Sequence, residues 1–404
     1  MSDNPIWITG LGILTSLGNN FADFSANLLA GKNGIRPVTG FDVSQHPCQI
    51  GGQVDMPPCP AEFDAAVYDS MLPLEKTVVF CCINALRDAG LWQERGKLRI
   101  GLLLGAGGEW LLHWDFDIRR GNFAVFDSSV VEKSAAEKAF ELLQLSGPQL
   151  SVAAACASGN HAFAQALTWL QMGWVDVCIA GAADIGITAL SLAAFGNLRA
   201  LSRRNDTPAT ALRPFDRDRD GMVLGEGGCL FVLERAEQAR RRSREPYAEL
   251  AGVGTTSDAY HLVTPSPDPS QAIAAIRQGL AAAKLNPEDV DYVNAHATGT
   301  QVGDTIEAKM LQAVFGAHCR RIPVSSTKSM TGHLLSAAAA VEATACLTAM
   351  KYGAIPPTLN LDHPDPECDL CHVANVPREA RVRVAISNSF GFGGHNTSLV
   401  LKAA

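Results

Sequence analysis

The stretch Ser151-Val-Ala-Ala-Ala-Cys156-Ala-Ser-Gly-Asn-His161 has the residue types of a nucleophile turn. A small, apolar, strand-like approach ends in a cysteine. Ala157, Ser158 and Gly159 follow, small enough for the backbone to turn sharply. Ala162 to Met172 then reads as an amphipathic helix. This puts Cys156 at or just before a helix N-terminus, where free N–H groups and the helix dipole stabilise a thiolate. Such a position can pull a thiol well below its free value of about 8.5. The competing reading is a small buried hydrophobe, since unpaired cysteine is among the most buried residue types. The turn alone does not separate the two.

Two histidines do. His296 lies in Asn294-Ala-His-Ala-Thr-Gly-Thr300, and His333 in Ser325-Ser-Thr-Lys328-Ser-Met-Thr-Gly-His333. Each follows a short apolar strand and precedes a helix. The three turns can therefore meet at one end of a sheet, where open α/β sheets place their sites. A lone histidine there is usually a satisfied structural residue. Two at equivalent points, beside a cysteine turn, favour a site.

The surrounding elements must bring these turns together. Ile6-Trp-Ile-Thr-Gly10-Leu-Gly12 reads as a strand entering a glycine turn. It is no dinucleotide fingerprint, because Thr15 stands where the third glycine belongs. Helices are expected over Phe21 to Ala30, Thr77 to Ala89, Ser134 to Leu145 and Ser270 to Ala283. Strands are expected over Arg99 to Leu104, Val175 to Ala180, Cys229 to Leu233, Ala248 to Thr255 and Val290 to Asn294. Residues 109–127 carry aromatics without a clear period. Helix, short turn and strand into an Ala/Gly turn occurs twice, at Thr77 to Gly108 and at Ser270 to Gly299. The charged run Arg240 to Glu245 marks a boundary between a first half, 1–246, and a second, 247–404. Asp304 and Glu307 read as a capping pair opening a helix, and Ala-rich Ser336 to Lys351 encloses the carboxylate of Glu342. Strands alternating with helices throughout imply an α/β layered fold.

Composition excludes several classes. The 404 residues are 47% hydrophobic and 18% charged, an ordinary globular profile. The net charge of -8 argues against nucleic acid as partner. No apolar run reaches membrane-spanning length. The first residues lack a basic and then apolar leader, so the expected compartment is the cytoplasm. The 11 cysteines follow no framework spacing and are expected to be reduced. Cys368-Asp-Leu-Cys-His372 matches a haem-attachment pattern, but that chemistry requires export, so neither haem nor a metal is expected.

Taken together, the motifs resemble the β-ketoacyl-acyl carrier protein synthases, most closely their elongating type I/II branch. The resemblance rests on Cys156-Ala-Ser-Gly, on His296-Ala-Thr-Gly-Thr with Gly303-Asp-Thr-Ile-Glu307, on Lys328 with Gly332-His333, and on Asn388-Ser-Phe-Gly-Phe-Gly-Gly-His-Asn396. It runs from Thr9-Gly-Leu-Gly12 to the C-terminus. It implies a thiolase fold, with duplicated βαβαβαββ halves in a five-layer αβαβα sandwich. It implies that Cys156 holds an acyl chain as a thioester, and that malonyl-carrier protein loses CO2 to extend the chain by two carbons. By resemblance, His296 and His333 stabilise the enolate. The N–H groups of Cys156 and Phe392 form an oxyanion hole. Lys328 orients the histidines, with Asp304, Glu307 and Glu342 in support. Phe392 gates an acyl pocket that Met222 also lines.

Near relatives are separable. A degradative thiolase needs a second cysteine near Gly391 to Asn396, which has none. Initiating synthases pair cysteine with His and Asn. The rival from another class is an inactive or regulatory subunit of a ketosynthase heterodimer, and the intact Cys156, His296 and His333 oppose it. The resemblance implies an acyl carrier protein as partner, no cofactor, and a dimer: a homodimer, or a heterodimer with a chain-length-factor-like subunit. It places the strand near Val175 to Ala180 at the dimer interface. Arg199, Arg203 and Arg204 are the expected carrier-docking cluster. Two features depart from the pattern. Met222 stands where relatives commonly carry Phe, and no basic cluster precedes Lys76.

Overall fold

The computed structural model describes residues 4–119, 121 and 133–404. The aromatic segment read at 109–127 lies partly outside them; its first part is the helix Glu109–Arg119.

An eleven-stranded sheet organises the chain. Its first half uses, in chain order, Ile6–Thr15, Ile100–Gly105, Gln149–Val152, Val177–Ile185 and Glu226–Arg235. In space these run third, second, fourth, fifth, first. The second half uses Ala248–Ser257, Tyr292–Asn294, Pro323–Ser325, Val384–Gly391 and His395–Lys402, and repeats that spatial order. The strand directions repeat as well. In each half the second strand is parallel to the third and fourth, and the fifth is antiparallel to the fourth and first. Cys371–His372, part of the haem-like motif, is simply an extra outer strand beside Pro323–Ser325. The halves join where Trp7 pairs with Glu249 and Ile8 with Ala248.

Each third strand feeds a helix that packs between the two halves. Gln149–Val152 leads to Ser158–Gln171, and Pro323–Ser325 leads, through a loop, to Ala338–Tyr352. Residues 338–349 are all buried, which explains their composition: alanine lets two sheets close on a helix that has no solvent face. Pro73–Asp88 and Ala135–Leu142 cover the outside of the first half, and Ser270–Ala282 and Gln301–Phe315 that of the second. The layers are therefore αβαβα, a thiolase-type sandwich. The helix expected from Thr77 begins earlier, at Pro73. Proline suits the first helical position, and Glu75 accepts the Leu72 N–H at 2.9 Å.

One expectation is corrected. Val177–Ile185 is buried along its whole length between Ile100–Gly105 and Glu226–Arg235. It has no open edge to offer a second subunit. Its apolar composition reflects a central strand, not an interface. The free edge of this half is Gln149–Val152, where Leu150 is exposed. A sheet that continues across two copies through this half pairs there, because edge strands carry unmatched N–H and C=O groups. Leu150→Asp sets like charges against each other at such an edge. It should shift the particle mass in light scattering toward the 42.9 kDa of one chain. An unchanged mass would exclude this edge as the interface.

Candidate active site

The third strand of the first half ends in a stitched turn. Ala155 takes φ +48°, and the Ser158 hydroxyl accepts the Ala154 N–H at 2.9 Å and donates to the Ala155 carbonyl at 2.6 Å. Cys156 is thus held just ahead of the helix Ser158–Gln171, as its sequence context suggests. His333 approaches from the second half. Its backbone is clamped by the loop before Glu226–Arg235: His333 N–H donates to Val223 O at 2.7 Å, and Gly225 N–H to His333 O at 2.9 Å. Gly332 makes this clamp possible. Its φ is +76°, and a Cβ there would lie 2.8 Å from Leu224 O.

The three turns meet. His333 Nε2 lies 3.0 Å from Cys156 Sγ, and the His296 and His333 rings stand edge to face with centroids 5.3 Å apart. Lys328, 1% exposed, is ion-paired with Glu342 and places Nζ 3.3 Å from His296 Nδ1. An ammonium has only donors, so Nδ1 accepts and the ring proton sits on Nε2. Burial, with Lys328 next, holds both imidazoles well below their ordinary value; both are neutral near pH 7.

The thiol departs from the simple helix-end expectation. Burial pushes Cys156 up to about 12; Lys328 pulls it down, while Asp184 and Glu342 push it further up. Desolvation outweighs the helix terminus. The resting sulfur is a thiol, and His333 is the base within reach.

Asp304 and Glu307 are corrected too. They lie inside the helix Gln301–Phe315, not at its cap, which is Thr300. Glu307 accepts the His296 and Ala297 N–H groups at 2.9 and 2.7 Å. Asp304 accepts those of Gly299 and Phe215 at 3.1 and 2.8 Å. Both carboxyls fix the loop that carries His296. Glu342 lies in the helix Ala338–Tyr352 and meets Lys328, as its isolation among alanines suggested.

A cavity of about 540 Å³ opens onto Cys156, His296 and His333. Met222, Phe392, Phe195 and Phe390 form part of its wall. The Phe195 and Phe392 rings lie 6.3 Å apart. Gly391 presses against the cysteine turn: a Cβ there would meet Ala154 O at 2.5 Å and Cys156 N at 3.2 Å. This close approach brings the Phe392 peptide toward the Cys156 N–H. Arg199 is exposed between Leu198 and Ala200, both cavity-lining, and Arg203 is exposed nearby. Arg204 is not open in the same way: it donates to Asp218 O at 2.7 Å and faces Asp220 at 3.6 Å. Sequence reasoning passed over Asp184, which lines the cavity. The strand expected over Val175 to Ala180 runs on to Ile185, and Asp184 lies near its buried end. A lone acid in a run of small apolar residues was the available signal. Among the described residues, no group of three or more His, Cys, Asp or Glu is placed to hold a metal ion, and no helix is long and apolar enough to cross a membrane.

The buried carboxyls give a pH signature. Burial pushes Glu307 up to about 7, against the pull of its two N–H bonds. The unfolded carboxyl titrates near its ordinary 4.5. Between these values the folded state holds more protons, so this group's contribution makes stability fall as pH rises. Wild type should therefore lose stability relative to Glu307→Gln from about pH 4.5 to about pH 7. Urea unfolding at several pH values reads this difference; a pH-independent gap would refute it.

Comparison with known proteins agrees with this geometry. Residues 3–239 match the family model for the β-ketoacyl synthase N-terminal domain, and residues 247–362 that for the C-terminal domain. The chain is 38% identical to the 3-oxoacyl-[acyl-carrier-protein] synthase 2 of Coxiella burnetii, covering 99% of each. It is 36% identical to the tetracenomycin polyketide synthase ketoacyl synthase alpha subunit of Streptomyces glaucescens, covering 99% of this chain and 97% of that one. Among solved structures, a β-ketoacyl synthase from Burkholderia phymatum superposes with TM-score 0.90 at 31% identity, covering 99% of this chain and all of that one. The ishigamide ketosynthase/chain length factor superposes with TM-score 0.89 at 29% identity over the whole of both chains. With the cysteine, the two histidines and the duplicated sandwich in place, the chain belongs to the β-ketoacyl synthase family.

Proposed function

We propose that this chain catalyses the decarboxylative condensation of an acyl thioester on Cys156 with malonyl-carrier protein, in fatty acid or type II polyketide or polyene synthesis. The observation that carries it is Cys156 Sγ 3.0 Å from His333 Nε2 in a cavity shared with His296. An inactive subunit has no need of this constellation.

The residues divide the reaction. In acyl transfer, His333 Nε2 takes the thiol proton, and the sulfur attacks the incoming thioester carbonyl. The oxyanion meets the N–H groups of Cys156 and Phe392. The C–S bond to the carrier breaks, and His333 returns the proton to the leaving thiolate. In the second stage the malonyl C–COO⁻ bond breaks and CO2 departs. The electron pair becomes an enolate, whose oxygen accepts from His296 and His333. Neutral imidazoles suit this role, since they donate without first having to lose a proton. His333 Nδ1 is buried with no hydrogen-bond partner among the described residues, so no fixed partner confines the ring to one tautomer. The enolate carbon then attacks the Cys156 thioester. A C–C bond forms, the C–S bond breaks, and a 3-oxoacyl chain two carbons longer leaves on the carrier. Cys156 departs as a thiolate and regains its thiol proton by way of His333, one proton being taken up from water per turnover; no cofactor is used in the reaction as drawn. All eleven cysteines are free thiols, which suits the reducing cytoplasm.

For partners, we infer an acyl carrier protein and a second ketosynthase-type subunit, identical or of the chain-length-factor kind. One solved neighbour is a type II acyl-carrier protein in complex with its ketosynthase, and another a ketosynthase/chain length factor. We assign the docking charge toward an acidic carrier to Arg199, between cavity-lining Leu198 and Ala200, and to exposed Arg203. Arg204 shapes the loop.

Three measurements test this reading. Cys156→Ser should abolish condensation. His296→Ala should still load Cys156, yet release CO2 from malonyl-carrier protein about 10²–10³-fold more slowly. Normal CO2 release would refute the role of His296. Arg199→Glu with Arg203→Glu should raise the KM for carrier-bound substrate several-fold near 0.1 M salt or below, where the Debye length is about 10 Å. The effect should shrink toward 1 M salt, where that length is about 3 Å. An effect equal at both salts would place docking elsewhere.

A further inference from the structure

The cavity is mostly apolar, yet one carboxyl stands in its wall near the nucleophile. Asp184 is buried, and its Oδ2 accepts the Ser336 N–H at 3.2 Å. The Ser336 hydroxyl in turn accepts the Gly107 N–H at 2.6 Å. This chain of bonds joins the glycine turn after Ile100–Gly105 to the loop after His333. A purely structural link does not require the carboxyl to face the cavity, but Asp184 does face it. Two glycines keep it uncovered, Gly108 and Gly186; a Cβ at 186 would lie 3.1 Å from Oδ1. A Cβ at 108 would sit 3.4 Å from both carboxyl oxygens, in ordinary contact with each. Any side chain there would cap them. The position is close to the reacting sulfur: a Cβ on adjacent Gly107 would lie 3.5 Å from Ala155 Cα, and Asp184 acts electrostatically on the Cys156 thiol. Consecutive Cα atoms are about 3.8 Å apart, so Asp184 stands beside the first part of a bound chain, not its tail.

We propose that Asp184, uncovered by Gly108, is a specificity residue that selects acyl chains carrying a hydroxyl or enol O–H within a few carbons of the thioester, in preference to plain alkyl chains. The proposal rests on the ketosynthase reading. Burial pushes Asp184 up to about 6, with Ser336 opposing. The group is therefore mainly ionised at neutral pH and accepts hydrogen bonds. A chain without a donor leaves this buried carboxylate facing hydrocarbon, which is costly.

The test uses the full-length protein and three pantetheine thioesters of one length: octanoyl, 3-hydroxyoctanoyl and 5-hydroxyoctanoyl. Acylation of Cys156 is followed by intact mass, and the ratio of kcat/KM for hydroxylated over plain chains is the readout. Wild type should favour one hydroxylated chain by roughly tenfold, the scale of a hydrogen bond to a charged group. Asp184→Ala and Gly108→Ala should each bring that ratio close to one. Gly108→Ala keeps the Ser336 contacts, so it decides the matter even if Asp184→Ala fails to fold. Equal rates in wild type overturn the proposal. So does a ratio that survives Gly108→Ala while both rates fall together, the mark of a structural role. Failure of any chain to acylate Cys156 would instead defeat the ketosynthase reading itself.

Discussion

A lysine ammonium buried almost completely sets the terms for the site. Removing Lys328 from water costs several kcal/mol unless its charge is matched, and Glu342 supplies the match from the central helix. The pair then acts on everything near it. Lys328 holds His296 in one tautomer, pulls the Cys156 thiol down against burial and against Glu342, and disfavours a second positive charge on either imidazole. Burial is the first cause of the two neutral histidines, and the buried cation reinforces it; at the thiol the same cation opposes burial and loses. An exposed lysine, screened by water, would impose far less.

Burial also explains why the resting site is quiet. A helix terminus and a nearby ammonium favour a thiolate, but a desolvated sulfur anion in a largely apolar cavity is worse. Deprotonation is therefore coupled to attack. In the reaction proposed above, the proton moves to His333 while an acyl carbonyl and two N–H donors receive the developing charge. This arrangement protects the cysteine when no substrate is present. It also makes reactivity depend on the geometry of the acyl group, which is where a wall residue such as Asp184 can discriminate.

Much of this was legible in the sequence, for local reasons. Small residues around Cys156, glycine before His333 and an acid among alanines each record a tight constraint on one backbone segment. The alternation of strands and helices, with one pattern occurring twice, pointed to duplicated layers. What stayed hidden depends on contacts distant in the chain. Val177–Ile185 looks the same whether it is central or at an interface, because both are apolar; only the pairing decides. Asp304 and Glu307 sit where helix caps often sit, yet their oxygens reach the loop of His296. Asp184 carries no local sign of its partner, Ser336, which is 152 positions away.

The repeated strand order explains how one architecture yields two different chemical tools. In each half the third strand stops at the mid-layer and hands the chain to a central helix. In the first half the handover is short, and Cys156 sits at the helix entrance. In the second half it is longer: Pro323–Ser325 is followed by Lys328, the Gly332 turn and His333 before Ala338–Tyr352 begins. The extra residues let one loop reach across to the opposite turn, and the Val223–Gly225 clamp fixes where it lands. His296 comes from the second strand of the same half, so both histidines approach the sulfur from the far side of the sandwich. The proposed nucleophile and the proposed enolate-stabilising groups are thus carried by separate halves of the sheet. Their spacing is set by how closely two alanine-faced layers can pack. A larger residue at the alanines of the central helix would push those layers apart, and the 3.0 Å contact between Cys156 and His333 depends on their staying together.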